Sequence, residues 1–387
     1  MKFRPIGFYF FLGLLSGSCA GNSSVNPSEP TKIPPRVEVS ASEIKSPAVA
    51  VSEIISATPA VPALRGEPTA PAPATPGPAS VSDIPAGPVV LPREAASLSS
   101  VKPSATRPAR AWAFLPISKL DSNPTASIGS VTLSELSGLI PASEKGHYWG
   151  HNDKGNDPEL FRFDREGNIR QRVTLMGITN EDWEAITRDA AGHLYIGGFG
   201  DNSRKRESYT IYQLPEPPPQ AVSVEGFKTI PYRYADGRSH NCEALFYFDG
   251  RLYMITKVNP GKEKEKEKKK KDPENIPQVF CLDDWADDEM VIARHIGPFK
   301  VQDTITDAAY SSRYGLLAVL SYTNIYFFRM NHEKDLLAAP AHTVSIDVKK
   351  SEGLCFDADS LLVTNEQGQI WKYPLNAIIK IEPGEQT

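Results

Sequence analysis

From residue 127 onward the chain is a succession of short apolar runs separated by Gly, Asp, Asn and Pro. The runs cover residues 146–150, 159–163 and 169–175, then 193–197, 209–214 and 227–234, then 251–256, 278–282 and 290–296. They continue through 315–321, 324–329 and 342–348, and end with 352–356, 360–364 and 369–373. β-branched and aromatic residues dominate them, and turn pairs such as Ala191-Gly192 and Asp249-Gly250 stand between them. That texture predicts β-strands joined by tight turns, in groups of about four.

One stretch, Asn180-Glu181-Asp182-Trp183-Glu184-Ala185-Ile186, sets the phase of these groups, because its arrangement returns. Later copies are Asn241-Cys242-Glu243-Ala244-Leu245, Ile305-Thr306-Asp307-Ala308-Ala309 and Lys350-Ser351-Glu352-Gly353-Leu354, and a weaker one precedes them at Glu135-Leu136-Ser137-Gly138-Leu139. Aligned on Ser137, Glu184, Glu243, Asp307 and Glu352, the spacings are 47, 59, 64 and 45 residues. A repeat of this length with several short strands per unit predicts an all-β chain folded as a β-propeller. Five blades are expected, and six if residues 111–120 hide a degenerate one. The last group lacks a fourth strand, and residues 127–133 are expected to supply it and close the ring. A proline-rich loop at 215–219 and a Lys/Glu run at 262–271 account for the long intervals, the second being a solvated excursion within an insertion at 259–276.

The first third of the chain has a different composition. Met1-Lys2-Phe3-Arg4 is basic and residues 6–15 are apolar, a stretch too short for a membrane span of roughly 20 residues and suited to a secretory signal. Leu15-Ser16-Gly17-Ser18-Cys19 resembles a bacterial lipobox. The resemblance implies a signal peptide at 1–18, cleavage before Cys19 and lipid on that cysteine. Ser16 departs from the usual Leu, and the alternative is an ordinary signal cut near Ala20 or Gly21. Ala20 is not a retention Asp, so the expected address is an exported lipoprotein of the outer membrane. Residues 19–110 are rich in Pro, Ala and Ser with few aromatics. Such a stretch buries too little apolar surface to offset ordering entropy and is expected to be a disordered tether, of which residues 22–110 would reach ~270 Å if fully extended. The propeller then occupies 111–387. A net charge of −5 gives no support for nucleic-acid binding.

Cysteine usage is quiet. Apart from Cys19, the chain has Cys242, Cys281 and Cys355, an odd number, expected as buried thiols.

In a propeller, innermost strands begin, and second strands end, on one face around the central channel. Glu184, Glu243, Asp307 and Glu352 stand at such starts. His151-Asn152-Asp153, Asp201-Asn202, Thr256-Lys257, Tyr322-Thr323-Asn324 and Asn365-Glu366 stand at such ends. Carboxylates gathered there repel unless protonated, paired with Lys257, His151 or His240, or bridged by a cation. Oxygen donors suit Ca²⁺ or Mg²⁺. Metal candidates are Glu184, Glu243, Asp307, Glu352, Asp201 and Asn202. The plainer alternative has the acids holding backbone amides of neighbouring blades.

Ser137-Gly138-Leu139, Gly150-His151-Asn152-Asp153, Asp182-Trp183-Glu184, Gly200-Asp201-Asn202 and Glu243-Ala244-Leu245 resemble a family of exported bacterial β-propeller proteins similar in plan to the NHL, TolB-like and SdiA-regulated propellers. The resemblance implies a fold and no activity. No Gly-x-Ser-x-Gly, His-Glu-x-x-His, phosphate loop or Cys-x-x-Cys is present. The leading expectation is therefore a non-catalytic binding or scaffold module of the cell envelope, anchored to the membrane by lipid and meeting a protein or small molecule at its channel mouth. The alternative is a divalent-metal-dependent hydrolase of a lactone or phosphoester, with His151, Asp153, His240 or Lys257 as catalytic candidates.

Overall fold

The computed structural model describes residues 89–90, 112–120, 127–133, 135–258 and 276–381, all within one compact unit, Ser80–Thr387. Residues 1–18, expected as a signal peptide, Cys19, nearly all of the Pro-rich stretch and the Lys/Glu run lie outside the described residues. Strands β1 (Val89–Val90), β2 (Trp112–Phe114) and β3 (Ser127–Ser130) precede the first full meander. That meander is β4 (Leu136–Pro141), β5 (His147–Asn152), β6 (Glu159–Asp164) and β7 (Ile169–Leu175), paired antiparallel in chain order. The second is β8 (Trp183–Arg188), β9 (His193–Gly198), β10 (Tyr209–Pro215) and, after a short β11 (Ser223–Glu225), β12 (Lys228–Tyr234).

The third is β13 (Cys242–Phe248), β14 (Arg251–Thr256), β15 (Gln278–Leu282) and β16 (Val291–Pro298). The fourth is β17 (Ile305–Ser311), β18 (Leu316–Ser321), β19 (Asn324–Arg329) and β20 (His342–Ser345). The fifth has β21 (Ser351–Asp357), β22 (Ser360–Asn365) and β23 (Gln369–Pro374), and its outer strand is β3 from the other end of the domain. Innermost strands β4, β8, β13, β17 and β21 pack each against the next, and β21 returns to β4. This is the all-β propeller that the repeats predict, and β3 closes it where expected. Among the described residues there is no α-helix.

The pattern of burial explains the ring. Innermost and second strands are apolar on both faces because each sheet is covered by its neighbours. Five hydrophobic clusters each fill the space between two consecutive meanders, for instance Trp149, Leu160 and Val173 against Trp183, Ile196 and Leu214. Another joins Leu136, Tyr148 and Phe163 to Cys355, Leu362 and Ile370 across the closure. Each fully buried Leu or Phe contributes roughly 1.5–3 kcal/mol relative to exposure. The three cysteines are free and buried, as expected.

Two segments differ from a bare repeat. After Pro215 the chain turns back to the first meander: β11 pairs parallel with β7, and Glu216 accepts from Trp149 Nε1 of β5 at 2.9 Å while also meeting Arg188 of its own meander at 2.9 Å. Strand β1 adds to β11 in turn. Residues 112–120 form no four-stranded group. β2 pairs instead with β24 (Ile379–Ile381), and Trp112 and Leu120 join the cluster between the fourth and fifth meanders.

Candidate functional site at the channel mouth

Every innermost strand is bulged at its start. Pairing skips one residue between Trp183 and Ala185, Cys242 and Ala244, Ile305 and Asp307, and Ser351 and Gly353. A fifth irregularity falls between Ser137 and Ile140. The extra residues are Glu184, Glu243, Thr306 and Glu352. A bulged residue opposes nothing on the next strand, so its side chain leaves the alternation of the pleat and can be aimed elsewhere. This corrects the alignment: the fourth copy sits one residue earlier than assumed, and Thr306, not Asp307, corresponds to the glutamates.

The ends of the second strands meet these acids, as the topology requires. Asp153 follows β5, and its carboxylate lies with those of Asp182 and Glu184 so that one oxygen of each is within 4.8 Å of the others. Lys257 follows β14, with Nζ 3.1 Å from Glu243 Oε2 and 3.4 Å from the Tyr322 hydroxyl. Tyr322 follows β18 and donates to Glu352 Oε1 at 2.9 Å. Two asparagines lock the frame. Asn180 donates to the carbonyls of Asn152 and Asp153 and accepts from the Trp183 amide. Asn241 donates to Glu243 Oε1 and accepts from the Asp201 amide.

Five carboxylates, those of Asp153, Asp182, Glu184, Glu243 and Glu352, thus share one rim with Lys154 and Lys257. All but Asp153 are buried, and so many charges cannot be desolvated unbalanced. Burial, then the charges of Glu243 and Asp153, push the Glu184 carboxyl well above the usual range. Burial also raises Asp182, against the pull of Lys154, and lifts Asp153 to about 6. Glu352 is pushed up to about 8, chiefly by burial, with Lys257 opposing and Glu243 assisting. Lys257 stays cationic: burial disfavours its charge, but Glu243 and Glu352 outweigh it.

Glu184 is only 4 % exposed, and its carboxyl shares a hydrogen bond with that of Glu243. Gly200 passes directly over it: a Cβ there would lie 2.2 Å from Glu184 Oε1 and 2.5 Å from Asp182 Cγ. The second residue after β9 must therefore be glycine for the acids to stand where they do.

The remaining sequence candidates lie elsewhere. Asp307 accepts from the amides of Leu354 at 2.7 Å and Ala308 at 2.8 Å, joining β17 to β21. For this residue the plainer expectation holds. Asp201 turns its carboxylate into its own loop, accepting from the amides of Lys205 and Arg206 and from the Tyr209 hydroxyl. Burial opposes its charge, and the two amides hold its carboxyl below the ordinary value all the same. Asn202 is exposed, 3.4 Å from Asn241. His240 pairs with Asp236 at 2.8 Å and packs on Tyr234. His151 is wholly buried edge-on to Trp183, and burial pushes it down to about 4, leaving a neutral imidazole. Asp182, Lys154, Asn180, Asn241 and Tyr322 are not among the ligands or bases that the sequence suggests, although its strand end places Tyr322 at the mouth. The signal for Asp182 was in the sequence, one residue before Trp183 in the stretch that anchors the repeat.

No family model matches the chain, and no curated protein matches it in sequence. Solved structures do. A gluconolactonase from Xanthomonas campestris aligns at 12 % identity and a TM-score of 0.38, covering 69 % of this chain and 98 % of its own. A virginiamycin B lyase from Staphylococcus aureus aligns at 12 % identity and a TM-score of 0.34, over 66 % of this chain and 69 % of its own. The nidogen/laminin complex gives 10 % identity and a TM-score of 0.37, over 63 % and 77 %. Similarity at this level carries no activity from one chain to another.

Proposed function

We propose that this chain is an exported binding propeller of the cell envelope, tied to the membrane through Cys19 and a flexible Pro-rich tether, and kin to the exported bacterial propellers it resembles. At its channel mouth Asp153, Asp182 and Glu184 hold a divalent cation, Ca²⁺ or Mg²⁺, through which a protein or small-molecule ligand is recognised. The observation that supports the cation is the trio itself: Asp153, Asp182 and Glu184 each bring one oxygen within 4.8 Å of the others, and the buried Asp182 Oδ1 has no hydrogen-bond donor among the described residues beyond its loose ion pair with Lys154. Oxygen donors alone, with no thiol or imidazole among them, fit a hard cation. Glu243 is already paired with Lys257, and Asp307 is turned to the Leu354 and Ala308 amides, so neither is needed as a ligand.

Metal content of the purified protein and its melting temperature with and without chelator test this reading. A bound cation stabilises the folded chain by mass action, so chelator should lower the melting temperature. Glu184→Gln should abolish that response. Protein that carries no metal, gains none from added Ca²⁺ or Mg²⁺ and ignores chelator would sink it.

One observation favours a metal-dependent hydrolase as second reading. Glu352 stays protonated near neutrality on the same rim and could serve as a general acid. Under that reading, lactone or phosphoester turnover appears in a screen, needs the cation and is lost in Glu352→Gln. Turnover absent across both substrate classes leaves the binding reading.

A further inference from the structure

The mouth carries two lysines, and they are held differently. Lys257 is 10 % exposed along its side chain and has three neighbours: Glu243, the Tyr322 hydroxyl and the Tyr322 ring, 5.3 Å away. Lys154 is 48 % exposed, and its ammonium has one carboxylate partner, Asp182, at 3.3 Å from Oδ1 and 3.5 Å from Oδ2. These distances are longer than those of a tight charge-assisted hydrogen bond. The partner is 7 % exposed along its side chain. A half-exposed cation thus leans from solvent onto a buried acid of the trio, while the other lysine is enclosed.

Resting on the cation reading above, we infer that Lys154 is the resident counter-ion of the trio and is displaced when the divalent cation enters. With no metal present, its ammonium offsets the charge of Asp182, which otherwise shares its space with Asp153 and Glu184. A divalent ion among those three oxygens repels the ammonium and also removes the reason for it to stay. Lys154 has half its side chain in water and can swing outward without leaving an apolar gap. Lys257 cannot, because Glu243 and Tyr322 enclose it. The exchange is one cation for another: no bond is made or broken except coordination, and the lysine keeps its proton. It sets a threshold, since metal must compete with a tethered cation that never leaves the rim.

The test uses the full chain and two probes, CaCl₂ and MgCl₂ separately, titrated calorimetrically into wild type and Lys154→Met. Removing one like charge at a solvent-open rim should tighten binding roughly five- to tenfold. A second readout is amine labelling mapped by mass spectrometry. Saturating metal should raise the labelling of Lys154 and leave Lys257 unchanged. Equal affinities with unchanged labelling would overturn the displacement while leaving the cation site intact. Weaker binding by Lys154→Met would overturn it too, making Lys154 a support of the site. If neither protein binds either ion, the cation reading itself falls, an outcome distinct from both.

Discussion

Glu184 and Glu243 occupy the same position in neighbouring meanders: each is the extra residue of a bulge at the start of an innermost strand, between Trp183 and Ala185 and between Cys242 and Ala244. Their carboxyls face one another at the mouth, and that opposition is among the causes that raise Glu184. They divide the labour. Glu243 is compensated by Lys257 and Asn241, whereas Glu184 has Glu243 as its hydrogen-bond partner and two further acids beside it. The same backbone irregularity therefore yields an ion pair in one meander and a cluster of three carboxyls in the one before it.

A first prediction concerns pH in chelator-treated protein. Glu352 stands at about 8 in the folded chain against an ordinary 4.5. Because the folded state holds this proton more tightly, the group's contribution is whole below 4.5 and is lost as pH rises through about 8. His151 works the other way, but only below its ordinary 6.5. Lys257, raised above its ordinary 10.5, adds no slope near neutrality. Between pH 6.5 and 8, then, unfolding free energy should fall by up to about 1.4 kcal/mol per pH unit for such a group. Urea denaturation at the two ends of the window measures this, and Glu352→Gln should make the slope shallower, with Glu184, raised in the same direction, keeping part of it. Stability that rises with pH in wild type would contradict the assignment.

A second prediction separates Asp307 from the mouth. Its carboxylate oxygens serve the Leu354 and Ala308 amides. In Asp307→Ala both buried donors lose their acceptor, at a cost of about 1–3 kcal/mol each. The melting temperature should drop by several degrees while calcium affinity stays that of wild type. A loss of calcium binding with the fold intact would return Asp307 to the site.

These cases show how far the sequence could be read. Strand positions were legible because period, turn residues and β-branched runs agree at each of them, and the missing outer strand because one meander came up short. What the repeat could not show was the bulge. In the fourth copy Asp307 looks like the counterpart of Glu184, since both are acids before a small residue. A one-residue slip in a strand, however, turns a side chain to the other face. Only the pairing of Ile305 with Ser321 and of Asp307 with Leu320 reveals Thr306 as the extra residue. The histidines misled for a related reason: residue type suggested a base, while burial beside Trp183 and pairing with Asp236 decide what His151 and His240 are.

The last prediction concerns closure. Strand β3 enters the fifth meander with Ile370 opposite Gly129 and Gln369 opposite Ser130. A Cβ on Gly129 would lie 2.5 Å from the Arg165 carbonyl oxygen and 2.5 Å from the Glu166 carbonyl carbon, backbone that cannot yield cheaply. Beside this contact the Tyr148 hydroxyl donates to Asp357 at 2.8 Å, and Arg165 pairs with the same carboxylate at 3.1 Å, tying the first meander to the fifth. Gly129→Val should push β3 off its partner, expose the edge of β23 and cost about 3 kcal/mol or more. Tyr148→Phe removes two hydrogen bonds of the tie, the one donated to Asp357 and the one accepted from Arg165 Nε at 3.2 Å, and should cost about 1–3 kcal/mol. Because every meander is buried only by its neighbours, losing the seam should weaken the whole ring. Unfolding followed by tryptophan fluorescence and by far-UV dichroism should therefore shift together. Val222→Thr, at a side chain 53 % exposed on the outer edge, serves as a neutral control. If Gly129→Val melts like wild type, β3 does not hold the ring shut.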